Sequence, residues 1–125
     1  MPIDAKQPYD PANIFARILR GEVPCKMVLE SAHSLAFHDI NPLAPIHVLV
    51  IPRGAYVSWD DFAEKASDEE IVDFTRTVGK VAKTVGADAQ GYRILSNIGK
   101  RGGQEVPHLH VHIFGGAPLG PMLAK

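Results

Sequence analysis

Nine residues near the C-terminus, Val106-Pro107-His108-Leu109-His110-Val111-His112-Ile113-Phe114, constrain this chain more than any others. Side chains along a strand point alternately to its two faces. The run puts His108, His110 and His112 on one face and Leu109, Val111 and Ile113 on the other. The apolar face needs a helix to cover it. The opposite face is a row of imidazoles about 7 Å apart along the strand. The whole chain holds six histidines. Three of them in unbroken alternation mark a functional surface, because local departures from a simple apolar pattern concentrate at sites.

The rest of the sequence supplies partners for that strand. Asp10-Pro11 reads as a helix start, with Asp10 as N-cap and Pro11 at the first helical position. Ile14, Phe15, Ile18 and Leu19 follow at helical spacing, and Gly21 is a natural stop, so a helix is expected over roughly 11–20. Extended runs over 26–30 and 35–39 flank a turn at Ser31-Ala32-His33-Ser34. Asn41-Pro42-Leu43-Ala44-Pro45 is excluded from regular structure by its prolines. The β-branched run 47–51 reads as a buried strand, and 53–66 as a loop with some helical character. Ser67-Asp68-Glu69-Glu70 is a capping box that opens a second amphipathic helix, about 68–85. A strand at 92–96, a glycine-rich loop at 98–104 and the histidine strand at 108–114 follow. Residues 1–9 read as a loose tail and 115–125 as an extended one rich in Gly and Pro. The early strands are too closely spaced for parallel crossovers. The expectation is one α+β domain, a mostly antiparallel sheet with two helices.

Composition narrows the function. Thirteen Lys and Arg against fourteen Asp and Glu leave a net charge of −1. That balance lacks the basic stripe of a nucleic-acid binder; Lys100-Arg101 is the densest basic spot beyond the first helix. Nothing approaches the roughly 18 apolar residues of a membrane span. The N-terminus has no apolar signal-like stretch, and the single cysteine, Cys25, allows no internal disulfide. A cytoplasmic protein is the expectation.

Two chemistries suit a row of imidazoles. Histidine is a common zinc ligand. It is also a nucleophile that can form a covalent intermediate. The loop Asn97-Ile98-Gly99-Lys100-Arg101-Gly102-Gly103-Gln104 lies directly before the row. Exposed backbone N–H groups in such loops cradle phosphate oxygens. A metal site would want a nearby carboxylate or thiolate, and only Glu105 stands beside the row.

The run His108-Leu109-His110-Val111-His112-Ile113-Phe114 resembles the His-φ-His-φ-His-φ-φ signature of the histidine triad (HIT) superfamily, φ being apolar. Asn13-Ile14-Phe15 with Gly21-Glu22-Val23-Pro24, Ala36-Phe37-His38-Asp39-Ile40-Asn41-Pro42 running into Ala44-Pro45-Ile46-His47, and Gly102-Gly103-Gln104-Glu105-Val106 resemble its nucleotide-binding, phosphoramidase-like branch, over about residues 12–123. The resemblance implies a five-stranded antiparallel sheet with two helices per subunit and a homodimer with a continuous ten-stranded sheet. It implies hydrolysis of a purine nucleoside 5′-phosphoramidate to a nucleoside monophosphate and an amine, with no cofactor and no metal. His110 would be the nucleophile, its second ring nitrogen held by the His108 carbonyl; His112 would contact the phosphate and His47 line the site. Asn97, Gly103 and Gln104 fall in the phosphate-side segment. Asp39 would bind ribose hydroxyls. Phe15, Ile18, Val23, Phe37, Ile40 and Leu49 would surround the base.

Departures from the family pattern carry information. Glu105 replaces the serine of animal members, and the ending Pro118-Leu119-Gly120-Pro121-Met122-Leu123 resembles bacterial ones. A carboxylate there could orient or protonate a leaving amine. Pro107 stands where an aromatic is usual. Asn13 and Ala16 occupy the positions of a Cys-x-x-Cys zinc pair found in some members, so no structural zinc is expected. Dinucleoside polyphosphate hydrolysis, nucleotidyl transfer and non-catalytic nucleotide binding are the competing functions.

Overall fold

The computed structural model describes residues 1–124; Lys125, the end of the expected 115–125 tail, lies outside the described residues. Five strands, β1 (Met27–Glu30), β2 (Ser34–His38), β3 (Ile46–Pro52), β4 (Arg93–Leu95) and β5 (Val111–Gly115), form one sheet in the order β1-β2-β3-β5-β4. Every pairing is antiparallel, as the short connections require. Helices α1 (Ile14–Leu19), α2 (Trp59–Lys65), α3 (Asp68–Thr84) and α4 (Gly99–Gly102) complete the α+β fold.

Register sorts the side chains. Phe37 pairs with Leu49, and Leu49 with His112, so all three share a face. Ala36, Val50 and Val111 are likewise aligned on the other face. There they join Val48, Leu109 and Ile113 against Phe62 of α2 and Phe74, Val78 and Val81 of α3. The first face carries a smaller cluster of Phe15, Leu35, Phe37, Leu49 and Ile51, with Ile18 and Leu19 of α1 packed on it. The sheet therefore separates a helix-covered core from a face that α1 covers only in part. That partial cover leaves room for a cleft.

Several boundaries differ from the sequence expectation. The first helix begins at Ile14, and its N-cap is Asn13, whose side chain accepts the Ala16 N–H at 2.9 Å. Asp10 instead accepts the Ala12 N–H at 2.9 Å and forms a turn. An Asx turn competes with the helix for the same backbone donors, and here it wins. The stretch 53–66 contains a full helix, α2, because Ser58 and Asp61 form a reciprocal capping box. The expected box at Ser67 and Glu70 opens α3. Gly86, at φ +79°, ends the segment in a left-handed conformation that favours glycine. The glycine-rich loop encloses one helical turn, α4, so the described residues hold four α-helices where two are expected. The histidine strand starts at Val111, not His108.

One carboxylate ties α3 to the β1–β2 hairpin. Asp73 Oδ1 accepts the hydroxyls of Ser31 at 2.6 Å and Ser34 at 2.7 Å. Ser34 is fully buried. Asp73→Ala leaves that hydroxyl without its partner, and the expected cost is about 2–3 kcal/mol, read as a lower melting temperature. An unchanged melting temperature would contradict this role.

Candidate active site

The row of histidines is not regular in three dimensions. Leu109 N–H bonds the Tyr56 carbonyl at 2.8 Å and His108 N–H the Val106 carbonyl at 2.9 Å, so this segment bends before joining the sheet. The bend sends His108 into the interior, fully buried, whereas His110 and His112 line a cleft of about 270 Å³. Phe15, Asp39, Leu49, Asn97, Gly103, Glu105 and Val106 complete its walls. Of the remaining expected residues, His47 is buried behind His112, and Phe37 behind Phe15 at 5.7 Å between ring centroids. Gln104 is buried beneath the loop, where its side chain accepts the Gly99 N–H and donates to the Val57 and Val106 carbonyls. Ile18 and Val23 are half-buried outside the lining, and Ile40, beside the Asp39–Asn41 turn, is 91% exposed and also outside it. Gly103 adopts φ +78°, so any side chain there strains the turn.

Two residues escape sequence reasoning. Val106 lines the cleft and could have been found from its place beside the row. Tyr9, in a segment read as a loose tail, places its hydroxyl 2.6 Å from His108 Nδ1. No sequence pattern links positions 9 and 108.

Hydrogen bonds fix which nitrogen of each ring carries the proton. His110 Nδ1 lies 2.7 Å from the His108 carbonyl, an acceptor only, so Nδ1–H donates and Nε2 keeps the lone pair. Burial pushes the His110 pKa below its usual value, keeping the ring neutral at neutral pH. A second chain sets His112. The Leu43 N–H donates to His47 Nδ1 at 3.1 Å, which leaves the His47 proton on Nε2. His47 Nε2–H then donates to His112 Nδ1 at 2.9 Å, and His112 holds its own proton on Nε2. Burial and the neighbouring imidazoles His110 and His47 lower the His112 pKa to about 4. The cleft thus pairs a ring with a free lone pair, His110, with a neutral ring that donates, His112. Their centroids are 5.1 Å apart. That combination suits attack on an electrophile whose oxygen needs a hydrogen bond.

Asp39 serves two purposes at once. Its Oδ1 accepts the Asn41 N–H at 2.8 Å, the turn-forming role, and its Oδ2 lies 3.4 Å from His47 Nε2. Asp39, His47 and His112 bring ligand atoms within 4.8 Å of one another. This set does not suit a metal. Binding through His47 Nε2 would move the His47 proton to Nδ1, directly against the Leu43 N–H.

A sequence model of the HIT domain matches residues 20–119. The chain belongs to the HIT family. An uncharacterised HIT-like protein of Azospirillum brasilense is 63% identical over 94% of this chain and 96% of its own length. The purine nucleoside phosphoramidase of Escherichia coli is 42% identical over 89% of this chain and 92% of its own. A solved histidine triad protein from Clostridium difficile superposes with a TM-score of 0.78 at 40% identity, covering 89% of this chain and 96% of that one. The five-stranded sheet is the HIT fold expected from the triad run.

Proposed function

We propose that this HIT protein hydrolyses purine nucleoside 5′-phosphoramidates through a covalent nucleotidyl-His110 intermediate. The observation that carries the proposal is the 2.7 Å bond from His110 Nδ1 to the His108 carbonyl, which leaves Nε2 as a free nucleophile in the cleft. The 42% identity to a relative named purine nucleoside phosphoramidase supports the leaving group and the purine. His110 Nε2 attacks the α-phosphorus, and a P–Nε2 bond replaces the P–N bond of the substrate. The departing amine takes a proton from solvent on the side of the cleft lined by the exposed Glu105. His110 gains positive charge in the intermediate, and its Nδ1–H bond to His108 strengthens as that charge develops. His112 Nε2–H faces a phosphoryl oxygen. Water then attacks phosphorus, releases the monophosphate and returns a proton to solvent. Asp39 is assigned to the ribose hydroxyls, and Phe15, Leu49 and Val106 to the base.

Single-turnover mixing with an adenosine 5′-phosphoramidate, quenched and read by intact mass, tests the proposal. The expected result is a gain of one adenylyl group that is absent from His110→Ala. Neither adduct nor monophosphate from wild type would overturn it. Faster turnover of a dinucleoside polyphosphate would move the assignment to that branch of the same chemistry.

A further inference from the structure

The residue behind the nucleophile is itself held from an unexpected direction. His108 Nε2 lies 2.9 Å from the Pro52 carbonyl. A carbonyl only accepts, so Nε2 carries the proton, and the neutral ring presents a lone pair at Nδ1. Burial, with the nearby His110, lowers the His108 pKa to about 4, so the ring stays neutral. The Tyr9 hydroxyl, 2.6 Å from Nδ1, must therefore be the donor. The two rings also meet edge to face with centroids 5.6 Å apart. Both nitrogens of a fully buried ring are thus pinned, one by β3 and one by the N-terminal segment.

That segment is tied down near both of its ends. Ile3 N–H donates to the Gln104 carbonyl at 2.7 Å, in the loop that carries Gly103 and Glu105. Tyr9 directly precedes the Asp10–Asn13 turn, and Asn13 caps α1, the helix of Phe15. Phe15 in turn packs edge to face on His110 at 5.0 Å.

We infer that Tyr9 is a positioning residue for His110: its hydroxyl donates to His108 Nδ1 and immobilises the residue whose carbonyl holds His110 in the reactive tautomer. This inference rests on the proposed role of His110. Without the Tyr9 hydroxyl, His108 Nδ1 is buried with no donor facing it. The ring then gains by rotating, and the His108 carbonyl loses its fixed direction. His110 divides between its two tautomers, and the form with the lone pair on Nε2 is depleted.

Tyr9→Phe keeps the ring and removes only the oxygen. The expected result is a fall in kcat of roughly tenfold with KM within about twofold, the size expected when a buried hydrogen bond behind a reactive group is lost. Nitrogen-15 resonances of the histidines should show His110 as one Nδ1–H tautomer in wild type and as a mixture in Tyr9→Phe. Asp73→Ala, destabilised far from the cleft, should keep wild-type kcat and the wild-type His110 resonances. A Tyr9→Phe kcat within twofold of wild type, or a fall in kcat without any change at the His110 nitrogens, would overturn the inference. If wild type fails to turn over phosphoramidates, the proposed function fails. The nitrogen spectra then decide alone whether Tyr9 sets the His110 tautomer, and identical spectra refute it.

Discussion

His110→Ala is expected to lower kcat/KM on an adenosine 5′-phosphoramidate by roughly four orders of magnitude or more, the scale on which removing a covalent nucleophile acts. The variant removes the one ring whose lone pair is free in the cleft. It leaves the other walls, Phe15, Leu49, Val106 and Asp39, in place. Adenosine monophosphate should therefore bind the variant within a few-fold of wild type, since those walls supply the nucleoside contacts in the proposed pose. The two measurements separate chemistry from binding. A variant that binds normally and does not turn over supports His110 as nucleophile. One that turns over at more than about a tenth of the wild-type rate shows that another group attacks.

Acid should destabilise this fold in a window set by its buried imidazoles. His108 and His112 have pKa values lowered from 6.5 to about 4, chiefly by burial. His47 and His110 are lowered in the same direction, also chiefly by burial. Above pH 6.5 the folded and unfolded chains both hold these rings neutral, and the full stability is present. For His108 and His112, between pH 6.5 and about 4 only the unfolded chain takes up protons, and His47 and His110 act in the same direction, so stability falls as pH falls. Below the folded-state values both forms are charged and the loss levels off. For the fully buried His108 the window of 6.5 to about 4 corresponds to about 3 kcal/mol. That is a large share of the 5–15 kcal/mol typical of a domain. Urea midpoints taken from pH 7.5 down to 4.5 should decline steadily below pH 6.5. The lowered carboxyls of Asp73, Glu70 and Glu22 lose their contribution only as pH falls toward their ordinary values of 3.8 and 4.5, which leaves the part of the window above about pH 5 to the histidines. A flat midpoint from pH 7 to 5 would mean the rings are not held neutral by burial.

The alternation at Val111, His112, Ile113 and Phe114 was legible because a strand with one covered face follows a period of two, and here the structure obeys it. Traced back to Leu109 and His108 the faces still alternate, Leu109 joining Val111 and Ile113 and His108 meeting Phe15, but the sheet pairing ends at Val111 because the Tyr56 carbonyl captures Leu109 N–H instead. Ser67 and Glu70 were legible for a local reason, since a capping box closes within four residues. Ser58 and Asp61 close in the same way, and the helix they open shows in the sequence only as some helical character over 53–66 because it buries a single apolar residue, Phe62. Asp10 misled because two neighbouring residues, Asp10 and Asn13, could each cap a helix start.

The sequence by itself determined what depends on neighbours along the chain: the strand period of the triad, the box that opens α3, and the α+β class. Its motifs also named most residues that line the cleft. Tertiary structure alone decided that His108 lies outside the cleft lining, which nitrogen of His108, His47 and His112 bears the proton, and that Tyr9 reaches His108. A tautomer is set by the acceptor or donor facing each nitrogen, and those partners, Pro52, Leu43 and Tyr9, stand far along the chain from the rings they face or come from its irregular segments. Contacts of that kind leave no periodic trace, because they are fixed only when the sheet brings distant backbone together.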